Sequence, residues 1–459
     1  MPVKPQLIAA ALAVASSLPM PASALGLVDV WQAASRQDPG IAAARAAGAA
    51  GDARRQQADA LWRPVVALEG GASLASSESQ MRGAQVVMGG PAQNGVSFNT
   101  SITGGTSTRI ALSARQPIWN AERSAQAKQL QNAADAAGIE WGDAQQSLML
   151  QSAERYFAVA LAARRLELLK RQLDAVDKAL VEAKDRFALG DRPVIDVHEA
   201  KARAEALRAQ RSALETELEL ARVALADSSG LSAQPEEFSL PSHAVASDSI
   251  GQLQAWLDKA NQSNAMLRLM NAQLQNARLE VDKTRGLMSP TLDVVAQTSR
   301  DRLSGSGDFG SASNTMTNHA IGVQLSLPLY TGGMRNARQS EAGALAEKAA
   351  AELERTRLQV AQQVKSVWLN LKVGADQLQA LEAAAQASDA RLDATVVGRE
   401  AGDRTMLDQL NAENDAAAAK LALAQTRVNL LLGRLRLALL AGELDAALLT
   451  RADSLRSND

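Results

Sequence analysis

The sequence predicts a mostly α-helical chain with a membrane β-barrel contribution of four strands, written as a duplicated unit. Three observations carry this. The stretches Ala121 to Leu189 and Met334 to Ala401, each about 68 residues, contain no proline, the strongest breaker of a helix interior. Four short segments alternate apolar and polar residues with the period of a strand. Landmarks of the first half recur in order in the second, which marks an internal repeat.

Composition supports the helical part. The chain has 459 residues, a length that ordinarily gives two or three globular domains. Yet aromatic residues make up only 3%, with two Tyr and five Phe, so large side chains for compact cores are scarce. Alanine-rich, charge-studded sequence suits long helices packed side by side, with too little bulk for a private core. The formal net charge of −2 gives no electrostatic reason to expect nucleic acid as a partner. Cysteine is absent, which excludes thiolate metal sites and a thiol nucleophile. His198, His243 and His319 are too scattered to share a metal ion. No nucleophile elbow, P-loop or dinucleotide fingerprint occurs, so neither catalysis nor a cofactor is expected.

Residues 1–24 read as a secretory signal peptide: Lys4 in the n-region, an apolar Leu7 to Val14, and a small-residue cleavage site at Ala22-Ser23-Ala24. Residue 25 is Leu, so a lipid-carrying cysteine is not expected after cleavage. No later apolar run reaches the roughly 20 residues of a spanning helix. Entry into a membrane must therefore use β-strands.

The repeat is clearest at two turns. Leu189-Gly190-Asp191-Arg192-Pro193-Val194-Ile195-Asp196 recurs 212 residues later as Ala401-Gly402-Asp403-Arg404-Thr405-Met406-Leu407-Asp408. Ile110 to Trp119 matches Ile321 to Tyr330 at an offset of 211. Pro64 corresponds to Pro290, an offset of 226, so length varies mainly in Gly70 to Thr108 and Ser299 to Asn318. Insertions concentrate in surface loops, and these segments are expected to be loops facing out of the cell. Strands are expected near 64–75, 107–118, 290–299 and 320–330. Pro64, Pro117, Pro290 and Pro328 mark the strand–helix junctions. Glu69, Arg109 and Arg115 fall on the polar side of their strands and are candidate pore-lining residues.

After each turn a return helix keeps a 3-4 spacing, in Val197, Ala200, Ala204, Leu207, Leu214, Leu218, Ala221 and Leu225, and again in Ala412, Ala416, Ala419, Leu423, Leu430 and Leu437. This is heptad packing with small residues in the seam. Gly190 and Gly402 suit the left-handed residue that ends the long helix, and Asp191 and Asp403 are candidate caps for the next one. Four strands cannot close a barrel, since eight is about the smallest number that does. Open sheet edges in lipid leave backbone groups unpaired, so the chain must oligomerise.

The signal peptide, the duplicated order of helix, strand, long loop, strand and long helix, and the two turns entering an Ile/Leu-Asp helix resemble the TolC family of outer-membrane efflux and type I secretion channels. The resemblance covers nearly all of the mature chain. It implies a homotrimer whose twelve strands form one barrel, a long periplasmic α-helical coiled-coil tunnel, and a mixed α/β collar. It also implies a passive exit channel docking to a periplasmic adaptor and to an inner-membrane pump such as an ABC exporter, and lying in outer-membrane lipid. On that mapping the first repeat spans 25–230 with its tip turn at 189–196, an equatorial linker spans 231–262, the second repeat spans 263–442 with its tip turn at 401–408, and a tail spans 443–459. Asp196 and Asp408 match the tip aspartates of the family, and Arg404 an arginine that holds the aperture shut with an acidic partner. A second acidic position one turn later is Asn411 here. Leu189, Gly190, Gly402 and Leu407 fall where the family meets its adaptor. The competing reading of the tip is plain helix capping, since Thr405-Met406-Leu407-Asp408 is a capping-box pattern. The competing reading of the whole chain is a periplasmic adaptor or another coiled-coil scaffold.

Overall fold

The computed structural model describes residues 25–455, apart from 88, 192, 233, 243–249 and 308–309 and the side chain of Phe98. The predicted signal peptide and His243 lie outside the described residues. In order along the chain come α1 (Leu27–Gln37), α2 (Pro39–Ala60), β1 (Val65–Val86), β2 (Gln93–Trp119), α3 (Ala121–Ala188), α4 (Val194–Ser229), α5 (Leu253–Ser263), α6 (Ala265–Gly286), β3 (Thr291–Gly307), β4 (Gly310–Ser326), α7 (Met334–Glu400), α8 (Met406–Leu440) and α9 (Ala446–Asp453). No described helix is long and apolar enough to cross a membrane. The chain divides into two compact units: one holds residues 25–46, 141–267 and 357–455, the other residues 47–140 and 268–356.

The second unit contains the sheet, an antiparallel meander in the order β1-β2-β3-β4. Its strands are far longer than the sequence suggests. β1 and β2 pair from Val65↔Arg115 out to Val86↔Gln93, and β3 and β4 from Thr291↔Ser326 out to Gly307↔Gly310. The expected loops Gly70 to Thr108 and Ser299 to Asn318 are therefore mostly strand. The reason is physical: beyond the apolar rows both faces of the ladder are wet, so hydrogen bonds persist while alternation, the only sequence signal, disappears. Pro64 and Pro290 do immediately precede strands. Pro117, however, lies within β2, opposite Asp293, and Pro328 lies beyond the end of β4.

The first unit has a core of its own, contrary to the expectation from composition. Few aromatic residues suffice because they are concentrated. Tyr156 and Phe157 of α3 are fully buried in edge-to-face contact, with ring centroids 5.1 Å apart. Around them pack Leu27 and Val30 of α1, Leu218 and Leu225 of α4, Leu431 and Leu435 of α8, and Leu449 of α9. Burying a large apolar side chain contributes roughly 1.5–3 kcal/mol. Phe238 adds a tilted ring, and the Ser239 N–H donates to the Tyr156 hydroxyl at 3.0 Å. The N- and C-terminal helices are tied together: the Leu27 N–H donates to the Asp453 carboxylate at 2.7 Å, meeting one of the orphan donors of a first helical turn. Among the described residues from Leu231 to Ser242 the backbone shows a 3-10 turn, Pro235–Glu237, and an isolated bridge residue at Pro241.

The coiled-coil reading of the return helices agrees with their burial. Ala204, Leu218 and Leu225 of α4 are buried, as are Ala412, Ala416, Leu430 and Leu437 of α8. Small residues let α7 and α8 approach closely. A side chain at Gly374 would meet Leu430, and one at Gly433 would meet Leu371, each at 2.9 Å.

Candidate functional site

The two repeat turns end their long helices in the same way. Gly190 and Gly402 take φ of +77° and +87°, a region open to glycine at no steric cost. The Asp191 N–H then donates back to the Arg186 carbonyl, and the Asp403 N–H to that of Gly398, closing the six-to-one bond of a Schellman end. Neither aspartate caps the helix that follows, which corrects that expectation. The caps are Pro193 and Thr405, two residues farther on, because each aspartate is still part of the turn that closes the preceding helix.

The two caps differ in chemistry. Thr405 and Asp408 form a complete capping box. The Asp408 N–H donates to the Thr405 hydroxyl at 3.1 Å, and the Asp408 carboxylate accepts the Thr405 N–H at 2.9 Å and its hydroxyl at 2.8 Å. These bonds, the backbone one foremost, hold the Asp408 carboxyl below its ordinary value. At the equivalent place Pro193 has neither hydroxyl nor N–H, and its side chain makes no cap bond. Asp196 therefore has no cap to serve.

Both turns line one cavity of about 340 Å³, together with Glu182, Arg186, Glu199, Arg203 and Arg399. Asp196, Arg404 and Leu407 are on its wall. Within it Glu182 meets both Arg186 at 2.9 Å and Arg399 at 3.4 Å, and Arg203 donates to Asn411 at 2.8 Å. Arg404 and Asp196 share this wall but, among the described residues, are not bonded to each other, so the pair does not close within one chain. Arg404 is positioned by its stem: a side chain at Gly398 would come within 2.8 Å of the Arg404 Cγ. Leu189 is 83% exposed and Leu407 46% exposed. The sequence pointed to Asp196, Arg404, Asp408 and Asn411. It missed Glu182, Arg203, Arg399 and Gly398, because helix-face charges and a mid-helix glycine look like ordinary coiled-coil surface.

In the sheet, cross-strand register sorts the faces. Directly opposed residues share a face, so Glu69 (opposite Ala111), Arg109 (opposite Asp301) and Arg115 (opposite Val295 and diagonal to Asp293) all project from one side. Arg115 donates to Asp293 at 2.5 Å, and Arg109 lies 3.6 Å from Asp301. The other side carries Val66, Leu68, Ile110, Leu112, Ile321, Val323 and Leu325, all exposed. A sheet that is apolar outside and charged inside has the pattern of a membrane barrel segment. His319 sits on the apolar side, hydrogen-bonded to Thr298 at 2.8 Å.

A family model described as "Outer membrane efflux protein" matches residues 30–231 and 256–443, one block in each copy of the repeat. The Outer membrane protein TolC of Escherichia coli is 28% identical over 74% of this chain and 69% of its own length. The Proteases secretion protein PrtF of Dickeya chrysanthemi is 27% identical over 88% of this chain and 86% of its own. Among solved structures, the outer membrane protein VceC of Vibrio cholerae superposes with a TM-score of 0.67 at 20% identity, covering 91% of this chain and 97% of VceC. The fold, the lipid-facing sheet and the sequence likeness agree: the chain belongs to the outer membrane efflux protein family, as a TolC-like outer-membrane channel protein with a periplasmic helical domain.

Proposed function

We propose that the chain is the exit channel of a tripartite type I secretion system and works as a homotrimer of twelve strands. The observation that carries the trimer is the sheet itself, a four-stranded meander whose outer strands β1 and β4 each have a neighbour on one side only. Unpaired backbone groups in lipid cost several kcal/mol each, and three copies pair every edge. Exposed apolar residues along α7, such as Leu358 and Val373, supply faces for the neighbouring helices. In that barrel Glu69, Arg109 and Arg115 line the pore. At the periplasmic tip Asp196, Arg404 and Asn411 surround the aperture, with Asp408 held in its cap. Leu189, Gly190, Gly402 and Leu407 face a periplasmic adaptor, and an inner-membrane pump of the ABC exporter type supplies the energy.

Protein export is favoured over drug efflux by the likeness to PrtF, a proteases secretion protein that aligns over 88% of this chain. Deleting the gene should remove one or a few extracellular proteins, and complementation should restore them. An unchanged set of secreted proteins with raised drug sensitivity would move the reading to efflux. Mass measurement in mild detergent should give three chains, and a stable monomer would sink the trimer.

A further inference from the structure

Four arginines stand in the sheet between Leu292 and Ser304 or on the strand beside them, and the two faces treat them differently. On the inner face Arg109 and Arg115 each meet an aspartate. Arg300 and Arg302 belong to the other face. Arg300 is opposite Ile110 and Thr317, and Arg302 is opposite Thr108 and Thr315. Both are exposed, and among the described residues neither guanidinium has a hydrogen-bond or ion-pair partner. No carboxylate shares their face from Leu292 to Ser304, nor along the opposed stretches of β2 and β4. On β1, the strand a neighbouring copy would bring beside β4, the same face from Val66 to Leu74 is also free of acid.

Their height in the membrane follows from the register. The helical domain is periplasmic, so the strand ends joined to helices lie at the inner surface and the hairpin turns point outward. Arg300 is nine residues into β3, which starts at Thr291. At about 3.3 Å per residue and a strand tilt of roughly 40°, it stands about 23 Å above that start, near the top of an apolar band about 25 Å tall. Arg302 stands about 5 Å higher by the same measure. Directly below Arg300 come Thr298 and His319, and the rows beneath those are apolar: Ala296 with Ile321, Val294 with Val323, and Leu292 with Leu325.

Two neighbouring guanidiniums without acid partners, above a lipid-facing apolar surface, match one chemistry. Guanidinium forks bind phosphate oxygens bidentately, and the apolar rows beneath suit acyl chains. We propose that Arg300 and Arg302 bind the phosphate of an outer-leaflet lipid headgroup, on the outside of the barrel. The threonines opposite them add hydroxyls to the same patch, and binding there fixes a lipid against β3 and β4.

The test uses the full-length protein in mild detergent, with native mass spectrometry reading retained bisphosphorylated lipid A. Wild type should retain it, and the double variant R300Q/R302Q should bind at least about tenfold more weakly, since charge-assisted hydrogen bonds are lost at both positions. R300K/R302K keeps the charge but not the fork, and should fall between the two while running at the wild-type mass, which separates recognition from misfolding. Arg285→Gln, a basic residue on α6, should bind as wild type does. Equal retention by wild type and R300Q/R302Q would overturn the site. Equal retention of dephosphorylated lipid A would show that acyl chains alone are held. Displacement by inorganic phosphate would show a free-anion site and not a lipid one.

Discussion

The two copies of the repeat follow one plan and bury it differently. α3, in the first copy, is buried on several sides: Met149, Leu150, Tyr156, Phe157, Leu161 and Leu166 all join one core with α1, α4, α8 and α9. α7, its counterpart, buries little more than a single seam. Leu353, Val360, Val364, Leu371, Leu378 and Ala385 run mostly seven residues apart, the spacing of a coiled-coil line. Outside that seam Leu345, Leu358, Leu369, Val373 and Val397 remain exposed. α3 thus anchors the chain's own core, and α7 offers a surface that another chain can cover.

Truncation in the first copy should produce the largest effect. Phe157→Ala should destabilise the chain by about 3–5 kcal/mol, the usual cost of removing a buried aromatic side chain. Thermal unfolding in detergent should drop accordingly. If Phe157→Ala unfolds at the wild-type temperature, the core assigned to α3 is not where stability resides.

A smaller effect on the chain, but a decisive one on assembly, is expected in the second copy. Leu358→Lys and Val373→Lys change side chains already open to solvent in one chain, and surface substitutions usually shift stability within about 0.5 kcal/mol. The isolated chain should keep its helical content while the trimer dissociates, seen as a fall in mass in mild detergent. Trimers of undiminished stability would mean that α7 meets its neighbours by another face.

What the sequence disclosed follows the same division. The repeat, the two long helices and the glycine ends of α3 and α7 were legible because proline absence, glycine and a 212-residue echo are local signals. The apolar half of each strand was legible for the same reason. The outer ladder, Ser77↔Ile102 to Val86↔Gln93, was not, because strands wet on both faces carry no periodicity. At the tip, Asp408 was correctly suspected of capping, since Thr405 stands three residues before it. The absence of a cap role for Asp196 was readable in Pro193 but needed the helix start to be fixed first. The Glu182–Arg399 contact joins residues 217 apart and has no local signature at all.

The caps of α4 and α8 give the finest test of the difference between copies. In α8 the carboxylate of Asp408 is stabilised by the Thr405 N–H and hydroxyl, so its pKa is lowered from the usual 3.8. A carboxyl whose folded pKa is depressed contributes stability above its unfolded value, and loses that contribution as pH falls through the folded one. The start of α8 should therefore loosen as pH drops from 3.8 toward the lower folded value. The start of α4, where Pro193 offers neither hydroxyl nor N–H, has no capping box to lose. Amide hydrogen exchange at residues 406–410 and 194–198, corrected for intrinsic rates, reads both ends in one experiment. Thr405→Ala should weaken the first turn of α8 by about 0.5–2 kcal/mol at neutral pH and reduce its acid response only in part, since the backbone N–H at position 405 still donates to Asp408. The substitution Pro193→Thr should work in the opposite direction, giving α4 a box with Asp196 and a new loss of protection in acid. If the two helix starts lose protection alike on acidification, Asp408 is not committed to its cap, and both tip aspartates are equally available to the aperture.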